Sequence, residues 1–168
     1  MFEEELNDLY GQIVSKMCEM IPCEYESIHF NGDISEDGGR VFFFFNTKEE
    51  KDKYIYSLDI PNEFNVSEKV FYKLNDELFE LTRKLNNVFI ENGQEAWKSV
   101  TMHYNNSGKF ELKYSYIDWF EQGYGILDRV NYFKYLYLNM MPYGGEKYLK
   151  KMKKMEKYEL EHTEGNNS

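Results

Sequence analysis

Residues 24–31 read Glu-Tyr-Glu-Ser-Ile-His-Phe-Asn, and residues 36–45 read Glu-Asp-Gly-Gly-Arg-Val-Phe-Phe-Phe-Phe. The first stretch alternates, with Glu26, Ile28 and Phe30 on one side and Tyr25, Ser27 and His29 on the other, which is the two-residue period of a β-strand. The second is apolar at every position from Val41 to Phe45, so it predicts a central strand covered on both faces. Between them, Glu36-Asp37-Gly38-Gly39 supplies residues that tolerate positive φ in a tight connection. The two segments therefore form an antiparallel hairpin, and the rest of the chain is read outward from it.

Upstream, Leu6, Leu9, Tyr10, Ile13, Met17, Met20 and Ile21 recur at three- and four-residue steps across 3–21, a helix whose first turn carries Glu3, Glu4 and Glu5 and which Pro22 ends. Downstream, Tyr54 to Leu58 alternates as a third strand that Ile60-Pro61 stops, because proline lacks a ladder donor. Asn65 with Glu68 three residues on has the form of a capping box, opening a helix through Val70, Leu74, Leu78, Leu81, Leu85 and Val88 that ends at Asn92-Gly93. Trp97–Tyr104 and Phe110–Ile117 alternate again, joined by the turn Asn105-Asn106-Ser107-Gly108. After the Gly123-Tyr124-Gly125 break come a helix over Ile126–Leu138, then Pro142 and Gly144-Gly145, then a Lys-rich helix. Adjacent antiparallel strands with short connections predict an α+β fold: a mostly antiparallel sheet of five strands with packed helices. A single domain over 1–160 with a frayed tail over 161–168 is expected.

Thirty acidic residues against twenty basic ones leave a formal charge of −10, which disfavours direct binding to nucleic acid or to an anionic membrane. The lysines from Lys147 to Lys157 nearly balance the acids from Glu146 to Glu164, so the excess acid lies in residues 1–145. Such a field suits a basic protein partner, and proteins that handle DNA are the commonest basic class. Fifteen Tyr and thirteen Phe serve a core and also suit a binding surface. Cys18 and Cys23 are too few for a disulfide framework or a zinc site and read as reduced core thiols. The N-terminal stretch lacks the pattern of a secretion signal and no apolar run reaches a membrane span, so a cytoplasmic location is expected.

No catalytic constellation emerges. His29 and His103 fall mid-strand, and His162 stands apart from both, without His-x-x-x-His or His-Glu-x-x-His spacing. The glycine pairs do not form a phosphate-binding loop, and no Gly-x-Ser-x-Gly elbow is present. No cofactor or metal is expected. The competing enzymatic reading, in which His29 and His103 share one sheet face and act on a small molecule, lacks a nucleophile. Tyr114 to Glu121 is dense in aromatics and acids. It reads either as a recognition edge anchored by Tyr116 and Trp119 or as a strand feeding aromatics into the core.

Across these residues the chain resembles the YezG/EsaG-type immunity proteins, antitoxins to LXG-type toxins exported by type VII secretion in Gram-positive bacteria. The resemblance is carried by Leu9-Tyr10 through Met20-Ile21-Pro22, by Gly39-Arg40-Val41-Phe42-Phe43 and by Ile60-Pro61-Asn62-Glu63-Phe64-Asn65-Val66-Ser67. It continues through Glu95-Ala96-Trp97, Tyr114 to Asp118-Trp119, and Asn131-Tyr132-Phe133-Lys134-Tyr135. What it implies is a non-catalytic inhibitor that binds the C-terminal toxic domain of its partner, typically a nuclease, until export. A non-catalytic adaptor or secretion chaperone is the alternative. The expected contact set is Asp33, Glu36 and Asp37 from the first hairpin and Asp118, Trp119 and Glu121 after the fifth strand, with Trp119 as apolar anchor and the chain a monomer or weak homo-oligomer.

Overall fold

A computed structural model describes residues 1–163, in two compact units that meet in sequence after Tyr116. The first holds α1 (Phe2–Met20), β1 (Ser27–Ser35), β2 (Gly38–Asn46), β3 (Ile55–Tyr56), a 3-10 turn (Ser57–Asp59), α2 (Ile60–Phe64), α3 (Glu68–Glu91), β4 (Ser99–Asn105) and β5 (Phe110–Ser115). The second holds α4 (Ile126–Tyr137) and α5 (Glu146–Thr163). The fold is α+β, with one antiparallel sheet ordered β3-β2-β1-β4-β5.

The alternation predicted for the first hairpin sets the core. Ile28 and Phe30 of β1, Val41, Phe43 and Phe45 of β2, and Val100 and Met102 of β4 join Ile13 and Met17 of α1 and Phe71, Leu78 and Leu85 of α3 in one buried cluster. Gly32 marks where β1 runs closest to α3: a β-carbon there would lie 2.7 Å from Thr82 Cγ2. Gly39 closes the hairpin for a different reason, since a β-carbon would fall 2.1 Å from the Asp33 carbonyl oxygen. Phe42 and Phe44, on the other face, are as buried as their neighbours, and Phe44 stacks on Tyr56 with ring centroids 5.1 Å apart. The unbroken apolar run therefore reports burial on both faces of an interior strand, bonded to β1 and to β3. The middle strand is β1, which is bonded on both sides.

Three local expectations change. The third strand is two residues long, because Ser57–Asp59 turns into a 3-10 helix and Pro61 sits in the first turn of α2, where its missing amide is no loss. The α3 cap is Ser67, whose Oγ accepts from the Val70 amide at 3.4 Å, while Asn65 ends α2 in the left-handed region at φ 53°. Two overlapping helix boundaries thus share the stretch read as one capping box. Cys18 is part-buried, its thiol donating to Tyr25 Oη at 3.3 Å, but Cys23 is exposed, past the end of α1 and outside the core. α5 is helical through Thr163, and the remainder of the tail expected to fray, 164–168, lies outside the described residues.

The β4–β5 hairpin follows its turn sequence closely. Asn105 Oδ1 accepts from the Ser107 and Lys109 amides at 3.1 and 3.0 Å, the Gly108 amide donates to the Asn105 carbonyl, and Gly108 takes φ 91°, a three-residue loop with a glycine bulge. In the second unit, Trp119, Tyr132, Met152 and Met155 form the core. Tyr135 Oη donates to Glu156 at 2.9 Å, Tyr132 Oη to Glu159, and Lys151 pairs with Asp128 at 2.8 Å.

Phe43 is fully buried, so Phe43→Ala should cost about 3–5 kcal/mol in urea unfolding. Ser67→Ala should cost about 1 kcal/mol, whereas Asn65→Gly should be neutral or slightly stabilising; the reverse order would return the cap to Asn65.

Candidate binding surface

The histidines come together as the strand register dictates. His29 faces His103 across β1 and β4. The amide bonds Ile34 to Lys98 and Asn106 to Glu26 show that the even residues of β4 carry the ladder to β1. His29 and His103 are therefore a non-hydrogen-bonded pair, the kind whose side chains lie closest. Their Nδ1 atoms are 2.7 Å apart. Hydrogen positions follow from the neighbours. Asn46 donates Nδ2 to the Lys51 carbonyl at 2.8 Å, which makes Oδ1 an acceptor, and Ser27 Oγ lies 2.6 Å from it and must donate. His29 Nε2, 3.0 Å from Ser27 Oγ, then donates to Ser27, leaving His29 Nδ1 to accept from His103.

This chain of bonds needs the His29 imidazole neutral, because its Nδ1 accepts. Burial, and then the neighbouring His103, pushes His29 down to about 4, and burial lowers His103 as well. It also commits the Ser27 hydroxyl to Asn46, so the serine is not poised against a base. Among the described residues no group of three or more His, Cys, Asp or Glu side chains is placed to hold a metal ion. The pair joins a polar network on the sheet with Ser27 and Asn46.

The six predicted contact residues divide by exposure. Glu36 and Asp37 form the exposed tip of the β1–β2 hairpin. Asp33 does not share their exposure: it is 5% exposed, opposite Arg40 on β2 and Ser99 on β4, because an interior strand buries the residue three before its turn. Glu121 is exposed. Asp118 is part-buried and uses Oδ1 to accept the Glu121 amide at 3.1 Å, which shapes its own loop. Trp119 is not an exposed anchor. It is 3% exposed, ringed by Tyr124, Tyr132 and Tyr158, with the Arg129 guanidinium 5.6 Å from its ring. Of the aromatics in 114–121, Trp119 lies in a core and Tyr114 packs against one, whereas Tyr116 and Phe120 are exposed.

Sequence reading missed the acidic helix surface. α1 presents Glu3, Glu4, Glu5, Asp8 and Glu19 against Lys16 as its one base, and Asp76, Glu77 and Glu80 of α3, together with Lys73 and Lys84, border a groove of about 900 Å³ between the two helices. Lys16 bridges Glu19 and Glu77 at 3.0 and 2.7 Å. Glu3 to Glu5 were legible only as partners of the helix dipole. The signal that finds the whole surface is the helical period, which places these acids opposite the apolar stripe.

For His29 the unfolded chain binds the proton more readily than the folded one between about pH 6.5 and 4, so stability is full above that window and falls as pH drops through it. Urea midpoints should decline from pH 7 to 4.5, and His29→Gln should flatten the decline; an unchanged slope would remove the histidine as its source. Trp119→Ala should destabilise the protein by about 3–5 kcal/mol, read as loss of near-ultraviolet signal and a lower melting temperature.

Comparison with known proteins shows the family. The profile of the family described as "Immunity protein YezG-like" matches residues 6–153. The Type VII secretion system protein EsaG of Staphylococcus aureus is 35% identical over 94% of this chain and 95% of its own length. Immunity protein YezG of Bacillus subtilis is 33% identical over 82% of this chain and 90% of its own, and that of Bacillus spizizenii 35% over 68% and 70%. With the match running from α1 into α5, the chain belongs to the YezG-like immunity protein family.

Proposed function

We propose that this protein neutralises, by stoichiometric and non-catalytic binding, the C-terminal nuclease domain of an LXG-type toxin, holding it inactive in the cytoplasm until export. The observation that carries the reading is membership of an immunity family over nearly the whole fold. Charge supports the nuclease as target: a protein of net charge −10 with exposed Glu36, Asp37, Glu121 and the acids of α1 is complementary to the basic channel in which a nuclease holds phosphates. Inhibition by carboxylates that occupy such a channel needs no reacting group on the inhibitor. No helix among the described residues is long and apolar enough to cross a membrane, which suits a partner met before export.

Plasmid degradation by a purified LXG toxin nuclease domain, titrated with this protein, should stop sharply at a fixed molar ratio. Degradation that persists at excess across a panel of such domains would defeat the reading. Improved export with activity intact would mark a chaperone instead. Reversing Glu36, Asp37 and Glu121 together should slow association roughly ten-fold at low salt, with the difference shrinking as salt rises. An unchanged rate would place the contact elsewhere.

A further inference from the structure

Gly11 sits in the middle of α1, and nothing in the fold asks for a glycine there. Its backbone is ordinary helix, so no left-handed turn needs it. A β-carbon at position 11 would meet no atom within 4 Å, in contrast to Gly32 and Gly39, where one would collide with the chain. Only proline is a poorer helix former, because glycine gives up the most backbone freedom on folding. The residue therefore weakens α1 without serving its packing. The remaining use of a glycine in a helix is to let another backbone come close.

Its surroundings fit such an approach. Gly11 is exposed and lines two depressions, one toward the β4–β5 hairpin and one toward α3. Toward the hairpin, Tyr10, Val14, Tyr104 and Phe110 line a cleft of about 430 Å³ that no charged side chain borders, and Phe110 is 37% exposed. Toward α3 lies the groove of about 900 Å³, bordered by Asp8 and Asp76, neither of which forms a salt bridge among the described residues. Lys73 and Lys84 stand on its α3 side, whereas the exposed charges of α1 are all acidic. Lys16, the one base of α1, is held between Glu19 and Glu77.

We propose that a basic amphipathic helix of the neutralised toxin domain crosses α1 at Gly11. Its apolar side chains enter the cleft beside Tyr104 and Phe110, and its lysine or arginine side chains reach Asp8 and Asp76. Two furrows flanking a low point are the relief into which the side-chain rows of a second helix fit. A glycine at the crossing lets the axes approach the short end of the roughly 8–10 Å spacing of packed helices. A second copy of this chain is a poorer occupant, since it would set the acids of one α1 against those of another. The inference rests on the neutralising role and adds where, and by what kind of segment, the partner is held.

Competition between variants and the unaltered protein for a purified LXG nuclease domain tests it, with thermal melting of each free variant alongside. Gly11→Ala should raise the melting temperature by a few degrees, since alanine is the better helix former and finds open space, yet weaken binding roughly ten-fold. Gly11→Leu should weaken binding roughly a hundred-fold or more with the fold intact. Asp8→Lys should slow association at low salt, and the difference should shrink as salt rises. Glycine variants that compete as well as the unaltered protein would move the docking surface elsewhere and leave the neutralising role standing. If the unaltered protein stops plasmid cleavage by none of a panel of such domains, the role and this docking surface fall together. A homodimer of the free protein that Gly11→Leu dissociates would assign the face to a second copy instead.

Discussion

β1 is hydrogen-bonded along both sides, and the register it holds with β2 and β4 is the constraint on which the rest of the first unit depends. The side-chain period of a strand is two, so a slip by one residue would turn Ile28 and Phe30 away from α1 and α3 and bring His29 and Asn31 in. Burying a fully apolar set under two helices makes that slip costly. The Gly32 contact with α3 and the Gly39 approach to Asp33 lock the same register sterically. One alignment of three strands therefore settles the core, the histidine pair and the position of the hairpin tip together.

The same register explains how two histidines far apart in sequence come to be adjacent. His29 and His103 are neighbours because non-hydrogen-bonded pairs place side chains close together; burial and the neighbouring His103 disfavour protonation of His29, and burial lowers His103 as well. Their bonds run through Ser27 and Asn46 to the Lys51 carbonyl.

The acids that matter for a basic partner are those the fold leaves in water: the hairpin tip, the outer face of α1 and Glu121. Carboxylates that the fold recruits, such as Asp118 for its loop and Asp128 for Lys151 and the Gly125 amide, are partly spent on structure. Membership of the YezG-like family gives this surface its context, and the field of a strongly acidic protein acts on how fast a partner arrives and on which partners are refused.

Sequence alone determined the period of each element, and hence the α+β class, the first hairpin, α1, the extent of α3 and the Asn105–Gly108 turn, because those features depend on residues a few positions apart. Ser67 displacing Asn65 as cap, and Pro61 opening a helix rather than ending a strand, lay within the same local chemistry but turned on where α2 ends. Only the tertiary structure decided that Asp33 and Trp119 are buried while Glu36, Asp37 and Glu121 are not. Exposure is a property of what packs above a residue, and that is set by chain segments far away in sequence. An acid and an aromatic carry the same composition signal whether they face water or a core.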